Sequence, residues 1–591
     1  KALTSLVFEN ASDKTKETNL SIIGDSAFEG CTGLTSGDTA ALSLPSSLKY
    51  IGDKAFKACS ALNTKIDFNT NIHETLKFIG KNAFDGCTKL NGGLHLPSTI
   101  EFIGEYAFNN CSGLNEDLIL PANDNFKTIS NSTFASCGFK GLLRLPSTVE
   151  TIDSYAFKGN KFTNVVLSKN LKTIGENAFL SCTAITNEIL YIPNDVKTIG
   201  DNAFKGCTSI KQLQLGNNVK TIGDSAFEGC TGLSKDLILP NTLEKIGDNA
   251  FKGCTALGSA GTIRVLQIPK SVTEIGSQAF FNTGFERSDI SSTVFYTSPA
   301  NEQYNQWCLG TINATKVTGS IQIEEGTYGI AGGAFLECTG ISAVSFPSDL
   351  VTIGKHAFKG CTGLTASNNI NIPKSVKSIL YQAFIDCGFT DPLPSSNPIY
   401  TSETNDKNNQ WCLGCKTAAC ITGTDWSLKD NVYGIAGGAF ENCSSLTGAI
   451  DLAASQQCML TYIGDSAFKG CTGFNNSLQL PETLTYLGAS AFEDCESLCK
   501  MDNSYFTGLP KNITEIKENT FKGCKNLKTE STLSTSIIHS GVRSIGDLAF
   551  FGCEKLQWSG LYLDQTVSYI GRQAFYDCKS IGGTIDLFAT I

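Results

Sequence analysis

Cysteine and histidine are the residues of this 591-residue chain that could carry chemistry. The chain has 24 Cys and only four His, at positions 73, 95, 356 and 539. The histidines lie far apart and none belongs to an H-E-x-x-H motif. Glycine-rich text such as GGLHLP and AGGAF lacks the spacing of a nucleotide-binding loop. Because catalysis needs unlike groups that converge, we predict no enzymatic activity, no cofactor and no metal site.

The cysteines are spaced regularly. Eighteen of them follow an Ala-Phe or Thr-Phe pair, three residues after the Phe, from Cys31 to Cys578, and Asn160 and Thr283 take this place in two further copies. Free cysteine behaves as a small buried hydrophobe, so we predict a buried column of thiols. The alternative is a ladder of disulfides, which would join each repeat to only one neighbour and demands a specific Cβ geometry. The high cysteine content therefore does not indicate an oxidising compartment.

Six cysteines lie outside this column, at 308, 412, 415, 420, 458 and 499. The group Cys412, Cys415 and Cys420 could form a local disulfide or half of a zinc site. No His or second C-x-x-C lies at ligand spacing, so metal is the weakest interpretation. A local disulfide, between Cys412 or Cys415 and Cys420, and reduced thiols both remain open.

The column belongs to a repeat that must position every other residue. The Phe recurs at intervals of 22–29 residues, in units such as LILPNTLEKIGDNAFKGCTAL (237–257). The L-x-L segment alternates as a strand does, and Pro ends it. Gly after Ile predicts positive φ or a close backbone approach. One such unit cannot bury its apolar side chains, so we predict stacked coils with internal columns of Leu, Ile, Phe and Cys.

Repeats of this length with L-x-L cores are typical of leucine-rich repeats. Over essentially the whole chain, I-G-x-x-A-F-x-G-C-x-x-L resembles the BspA-type leucine-rich repeat family. The resemblance implies an α/β-type, β-rich, right-handed solenoid with short strands and few short helices. It also implies a cell-surface or secreted protein that binds host or extracellular-matrix proteins or glycans. We predict about 22 coils in one continuous solenoid over residues 1–591.

Two Phe intervals are about twice the usual length, 280–335 and 384–440. NQWCLG occurs in both, at 305–310 and 409–414, and YGIAGGAF follows at 328–335 and 433–440. This duplication predicts one degenerate coil near 285–320 and another near 389–425. Trp307 and Trp411 could anchor a ligand, but we favour a role in plugging an irregular core.

The middle residue of each L-x-L should point away from the core and form a broad face. Arg144, Val166, Tyr191 and Gln214 form the predicted contact patch on that face. The alternative is a solvated strand face without a ligand. The candidate contact residues are Arg144, Tyr191, Gln214, Gln267 and Tyr562.

Charge and hydropathy exclude other classes. The chain has 46 basic and 56 acidic residues, a net charge of −10, which argues against nucleic-acid binding. No apolar run approaches the roughly 18–20 residues of a membrane-spanning helix. Sequons for N-glycosylation, which matter in a secreted eukaryotic protein, occur at Asn10, Asn19, Asn110, Asn131, Asn313, Asn442, Asn475 and Asn512.

The two ends of the sequence, LTSLVFEN and GGTIDLFATI, are apolar and do not resemble polar caps. We expect a fragment of a longer protein or head-to-tail self-association of copies. Two functions follow from these observations. The first is an adhesin that binds through its solenoid surface, and the alternative is a self-assembling filament or surface coat. A strict monomer in light scattering would weaken the second.

Overall fold

The computed structural model divides the chain into two compact units. The first unit comprises residues 1–291 and 298–305, and the second comprises 292–297 and 306–591. A single continuous array over 1–591 stays a prediction. The residues that the structure describes are 6, 20–35, 41–68, 75–258, 266–285, 296–298, 300–303, 305–311, 314–365, 370–389, 399–402, 410–415, 431–452, 459–529, 538–557, 561–562, 567–581 and 585–586.

The first unit is built from short strands, most of them two or three residues long. Its strands are β1 Ile22–Ile23, β2 Ala41–Ser43, β3 Tyr50–Ile51, β4 Lys65–Asp67, β5 Phe78–Ile79, β6 Gly92–His95, β7 Phe102–Ile103, β8 Leu114–Ile119, β9 Thr128–Ile129, β10 Leu142–Arg144, β11 Thr151–Ile152, β12 Asn164–Val166, β13 Thr173–Ile174, β14 Leu190–Tyr191, β15 Thr198–Ile199, β16 Leu213–Gln214, β17 Thr221–Ile222, β18 Lys245–Ile246 and β19 Glu274–Ile275.

The second unit repeats this plan and adds one 3₁₀ helix among its described residues, Ala314–Lys316. Its strands are β20 Tyr296–Thr297, β21 Gln306–Gly310, β22 Thr318–Gln322, β23 Thr327–Ile330, β24 Gly340–Ser345, β25 Thr352–Ile353, β26 Ser378–Ile379, β27 Ile399–Thr401, β28 Gln410–Cys415, β29 Val432–Ile435, β30 Gly448–Asp451, β31 Tyr462–Ile463, β32 Phe474–Gln479, β33 Tyr486–Leu487, β34 Glu515–Ile516, β35 Ser544–Ile545, β36 Leu561–Tyr562, β37 Tyr569–Ile570 and β38 Ile585–Asp586.

Each coil contributes to two parallel ladders. The Ile-Gly strands form one, with the order β1-β3-β5-β7 and then β9-β11-β13-β15-β17-β18-β19 in the first unit. The L-x-L strands form the other, as in β10-β12 and β14-β16. Equivalent residues face each other, for example Ile174 and Ile199. Because side chains alternate along a strand, this register turns each repeated Ile into a continuous internal column.

The turn that contains the Ala-Phe pair is also hydrogen-bonded to the next coil. The N–H groups of Ser225, Phe227 and Gly229 donate to carbonyls of the next coil at 2.7–2.8 Å. Ser225 and Gly229 have positive φ, 54° and 71°. With this backbone conformation, the N–H group of every second residue in the segment points towards the next coil. The glycine with positive φ is therefore the one before Cys. The glycine after Ile, such as Gly223, instead lies against the preceding coil at Asp201, where a Cβ would collide.

The Phe rings form stacked columns inside both units. In the first unit Phe204 lies 5.1 Å from Phe179 and 5.4 Å from Phe227, with nearly parallel planes. In the second unit Phe468 lies 5.1 Å from Phe440 and 5.3 Å from Phe492. These rings are fully buried. The predicted internal stripes are confirmed, and they show that coils lie directly on one another.

The cysteine column is a row of thiols with a hydrogen-bonding role. Among the described residues the column cysteines form no disulfide, so the disulfide ladder is wrong there. Cys207 Sγ donates to the carbonyl of Phe179 in the preceding coil at 3.2 Å. Burial raises the pKa of Cys137 to about 12, which suppresses the reactive thiolate. In its coil Asn160 replaces the thiol, and its Nδ2 donates to the Phe134 carbonyl at 2.8 Å.

The coil count differs from the prediction at the two long intervals. The structure has about 19 turns, against the predicted 22, and almost no helix. The degenerate coils are antiparallel hairpins, β20-β21 and β27-β28. The second strand of each hairpin then joins the Ile-Gly ladder in parallel. A hairpin does not complete a turn, which is why fewer coils result than the sequence predicts.

Candidate functional site

The L-x-L strands place the predicted contact residues on one side of the first unit. Leu143, Leu190 and Leu213 are buried, and the residue after each of them is exposed. Arg144 faces Val166 across β10-β12, and Tyr191 faces Gln214 across β14-β16. Strands β12 and β14 contact each other. The four residues of the predicted patch therefore lie side by side on successive coils.

Tyr191 and Gln214 are linked directly. Gln214 Nε2 donates to Tyr191 Oη at 2.8 Å, although both side chains are exposed. This bond holds the phenol beside the amide and restricts the rotamers of both side chains. Less side-chain entropy is therefore lost when a partner binds. Gln267 is half-buried on a later coil. Tyr562 is part of β36, but its side chain lies outside the described residues, so its role stays a prediction.

Apolar side chains extend the patch beyond the predicted residues. The exposed fractions are 51% for Ile119, 42% for Leu142, 40% for Ile189, 58% for Tyr191 and 70% for Ile238. Leu142 and Ile189 were not predicted, because they lie two residues before the L-x-L centre, where the strand presents the same side again. We call this surface the first-unit strand face and define it as Ile119, Leu142, Arg144, Val166, Ile189, Tyr191, Gln214 and Ile238.

The described side chains in the equivalent row of the second unit are polar. Gln322, Ser345, Asn371 and Gln479 are exposed at the corresponding position. None of these four side chains is charged or apolar. We call them the second-unit polar row.

A second exposed apolar stripe lies on the Ile-Gly ladder and was missed in the sequence. Ile22, Tyr50, Phe78 and Phe102 face one another across β1-β3-β5-β7. The rings of Tyr50 and Phe78 are 6.4 Å apart. The signal was the residue before Ile-Gly in YIG, FIG and FIG, but this position holds Thr, Lys or Glu in the later coils of the first unit, which hid the pattern.

Trp307 and Trp411 are fully buried, as the plugging interpretation predicts. Each indole lies on a glycine of the next ladder strand, Gly329 or Gly434. Trp411 also contacts Tyr433 and Tyr462, with ring centroids 5.6 and 5.5 Å away. A buried indole cannot anchor a ligand at the surface, so neither Trp belongs to the candidate site.

The off-column cysteines are only partly covered by the described residues. Cys412 is fully buried. The side chain of Cys415 and all of Cys420 lie outside the described residues, so the local disulfide stays a prediction. Within the described ranges, no cluster of three His, Cys, Asp or Glu side chains could hold a metal. In the same residues no helix is long and apolar enough to cross a membrane.

The sequons differ in accessibility. Asn110, Asn442 and Asn512 are exposed, and Asn131 and Asn475 are half-buried. Asn10, Asn19 and Asn313 lie outside the described residues. Glycan attachment at any of them stays a prediction.

Solved structures with this repeat resemble the chain only distantly. A leucine-rich repeat protein from Bacteroides ovatus is 20% identical, with 86% of this chain and 82% of that one covered and a TM-score of 0.28. A leucine-rich cell surface protein from Faecalibacterium prausnitzii is 22% identical, with 68% and 87% covered and a TM-score of 0.25. The pneumococcal vaccine antigen PcpA is 16% identical, with 69% and 81% covered and a TM-score of 0.25. A search of curated protein sequences finds no match.

The family is established by the repeat itself. The model of the BspA type leucine rich repeat region matches six times, over residues 6–116, 68–186, 185–301, 312–403, 418–531 and 529–587. These matches cover most of the chain and both units, and the chain belongs to the BspA-type leucine-rich repeat family.

Proposed function

We propose that this protein is a non-enzymatic, cell-surface or secreted adhesin that binds a host or extracellular-matrix protein through the first-unit strand face. The observation that carries the proposal is the series of exposed apolar side chains on that face. Arg144 and Tyr191 lie between them. Folded proteins rarely leave a contiguous apolar surface without a partner. Tyr and Arg are also enriched among the residues that dominate binding energy.

The fixed arrangement of side chains on this face supports a protein partner. The first-unit strand face lies on a rigid parallel framework, so its side chains are held in place before binding. A preorganised surface loses less entropy when it binds. The side-chain hydrogen bond between Gln214 and Tyr191 fixes the position of the phenol before binding.

The proposal is tested by a binding screen against immobilised extracellular-matrix proteins and glycans, with the whole chain in solution. We expect binding to at least one matrix protein and a loss of at least about tenfold in affinity for Tyr191→Ala. Gln479→Ala, an exposed residue of the second-unit polar row, is the matched control and should bind as the wild type does.

Light scattering of the same sample tests the alternative of a filament or coat. A monomer that binds a matrix protein supports the adhesin. Concentration-dependent assembly with no binding in the screen would replace it with the self-assembly function. Unchanged affinity in Tyr191→Ala would remove the first-unit strand face from the proposal.

A further inference from the structure

We infer that the first-unit strand face recognises a short peptide segment of its partner that carries a carboxylate between apolar side chains, with Arg144 as the carboxylate-binding residue. This inference rests on the proposed function and makes it more specific. It names the chemistry of the partner and the residue that selects it.

The first step is the unused charge of Arg144. Its side chain is exposed, and it makes no ion pair or side-chain hydrogen bond with any residue in the described ranges. Some lysines of the same unit, in contrast, form ion pairs within the chain. Lys172 binds Glu150 and Lys220 binds Glu244, both at 2.6 Å. The guanidinium of Arg144 therefore keeps its donors for a group that comes from outside.

The second step is the surroundings of that charge. Arg144 pairs in register with Val166 on β12, and β8, which ends at Ile119, contacts β10 on the other side. Leu142 precedes it by two residues on the same side of the strand. Apolar residues thus lie beside Arg144 on its own strand and on both neighbouring strands, and the Asp117 carboxylate of β8 lies next to Gly141.

These two facts together set the partner's chemistry. A partner that covers Ile119 and Leu142 must also remove water from the Arg144 guanidinium. Burying an unpaired charge costs far more than burying the neighbouring apolar surface gains. A carboxylate offsets that cost, because guanidinium and carboxylate form two parallel hydrogen bonds. A purely apolar or basic partner segment would be rejected at the same place.

The length of the segment follows from the coil spacing. Ile119 and Tyr191 are three coils apart, roughly 14 Å at about 4.8 Å per parallel strand. An extended peptide of about four or five residues spans this distance. The acidic residue should therefore lie near the centre of the segment, with large apolar residues on both sides of it.

The test uses two matched sets of short peptides and the whole chain. In the first set a central Asp is flanked by Leu, Phe and Tyr in varied order, and in the second set Asn replaces that Asp. Fluorescence polarisation measures each affinity. We expect Asp peptides to bind at least about tenfold more tightly than their Asn partners. Arg144→Gln should abolish that difference and leave the Asn peptides unchanged.

Two further variants separate this inference from the proposed function. Arg144→Lys keeps the charge without the planar fork, so it should retain only part of the preference for Asp. Tyr191→Ala should weaken both sets equally. All three substitutions are at exposed positions, and thermal unfolding checks that each variant is folded.

Equal binding of Asp and Asn peptides, a preference that survives Arg144→Gln, or no binding of either set would each overturn the inference. The proposed function has a separate readout, since the matrix-protein screen and its response to Tyr191→Ala do not depend on the peptides. Loss of matrix binding in Tyr191→Ala with no effect of Arg144→Gln would keep the adhesin and remove the carboxylate.

Discussion

The two units bury the same side chains and expose different ones. In the first unit Leu190 faces Leu213 inside the L-x-L ladder, and in the second Ile321 faces Val344. The next residue outward is Tyr191 in one case and Gln322 in the other. Both units thus bury equivalent side chains, while the described outward positions of the L-x-L strands are polar in the second unit and include apolar side chains in the first.

This difference separates the positions whose residue type is set by packing between coils from the positions that are free to contact a partner. Inward positions form columns in which every coil must match its neighbours, so their identity is set by packing. Outward positions of the L-x-L strand contact no column, and nothing in the stack requires Ile238 to be apolar. We therefore propose binding as the role of the first-unit strand face and solvation as the role of the second-unit polar row.

Removing a ring from the Phe column is expected to have the largest effect, and the same effect in both units. Phe204→Ala and Phe468→Ala each delete a fully buried ring that is stacked on two neighbours. Each should lower the free energy of unfolding by about 3–5 kcal/mol. Urea unfolding of the two variants measures this. A loss below about 1 kcal/mol in either unit would break the claim that the cores are equivalent.

A methyl group on the glycine after Ile should have the next largest effect. Gly223 and Gly464 lie against the backbone of the preceding coil in the first and second units, and a Cβ would collide there. Gly223→Ala and Gly464→Ala should each cost about 1–3 kcal/mol of unfolding free energy. Gly24 has no atom within 4 Å of an added Cβ, so Gly24→Ala is the matched control. Equal unfolding midpoints for Gly223→Ala and Gly24→Ala would contradict close stacking.

The ion pairs of Glu493 and Glu228 should make the stability of the two units depend differently on pH. In the second unit Glu493 lies between Lys469 and Lys522, both at 2.9 Å, whereas among the described residues of the first unit Glu228 has one lysine partner, Lys205, at 2.8 Å. Burial raises the pKa of Glu493, but hydrogen bonds from Lys469 and Lys522 outweigh it, so the pKa lies below its usual value. A lowered carboxyl pKa stabilises the fold above the unfolded value of about 4.3, and this contribution is lost as pH falls through the folded pKa.

We therefore expect Glu493→Gln to cost about 1–2 kcal/mol at pH 7 and progressively less below pH 4. Glu228→Gln, with one partner, should cost less than about 1 kcal/mol. Urea unfolding between pH 3 and pH 7 measures both. A pH-independent loss in Glu493→Gln would rule out the ion pairs as its cause.

Restoring the missing cysteine should give the smallest change. Asn160 is buried and its Oδ1 has no hydrogen-bond partner, whereas Cys207 fills the same position without a leftover acceptor. Asn160→Cys should raise the free energy of unfolding by about 1 kcal/mol. The reverse change, Cys207→Asn, is the control and should lower it. Destabilisation by Asn160→Cys would show that the column thiol has no general advantage.

The fold was predictable because its determinants recur. The Phe of one coil contacts the Phe of the next, so a spacing read along the chain becomes a contact in space, as at Phe204 and Phe227. The hydrogen bond from the cysteine thiol was not predictable, since its acceptor is a carbonyl of the preceding coil, which the repeat pattern does not indicate. The two hairpins were missed because the paired strands β20-β21 and β27-β28 lie outside the repeat pattern, so no spacing in the sequence indicates their antiparallel partner.

The candidate site was predictable only in part. The L-x-L pattern identified Arg144, Tyr191 and Gln214, because strand alternation fixes which side chains face outward. It missed Leu142 and Ile189, which lie two residues before the L-x-L centre and so outside that pattern. The aromatic stripe at Phe78 and Phe102 was missed because that row changes from aromatic residues to Thr within the first unit.

The central claim, that binding lies on the first-unit strand face, is tested most directly by paired affinities for a matrix protein that binds the wild type. One variant carries Tyr191→Ala and Ile238→Ala, and the other carries Gln322→Ala and Gln479→Ala in the second-unit polar row. The account predicts a loss of at least about tenfold for the first pair and no change for the second, with unfolding free energies within about 0.5 kcal/mol of the wild type. Equal losses, or a loss confined to the second pair, would contradict it.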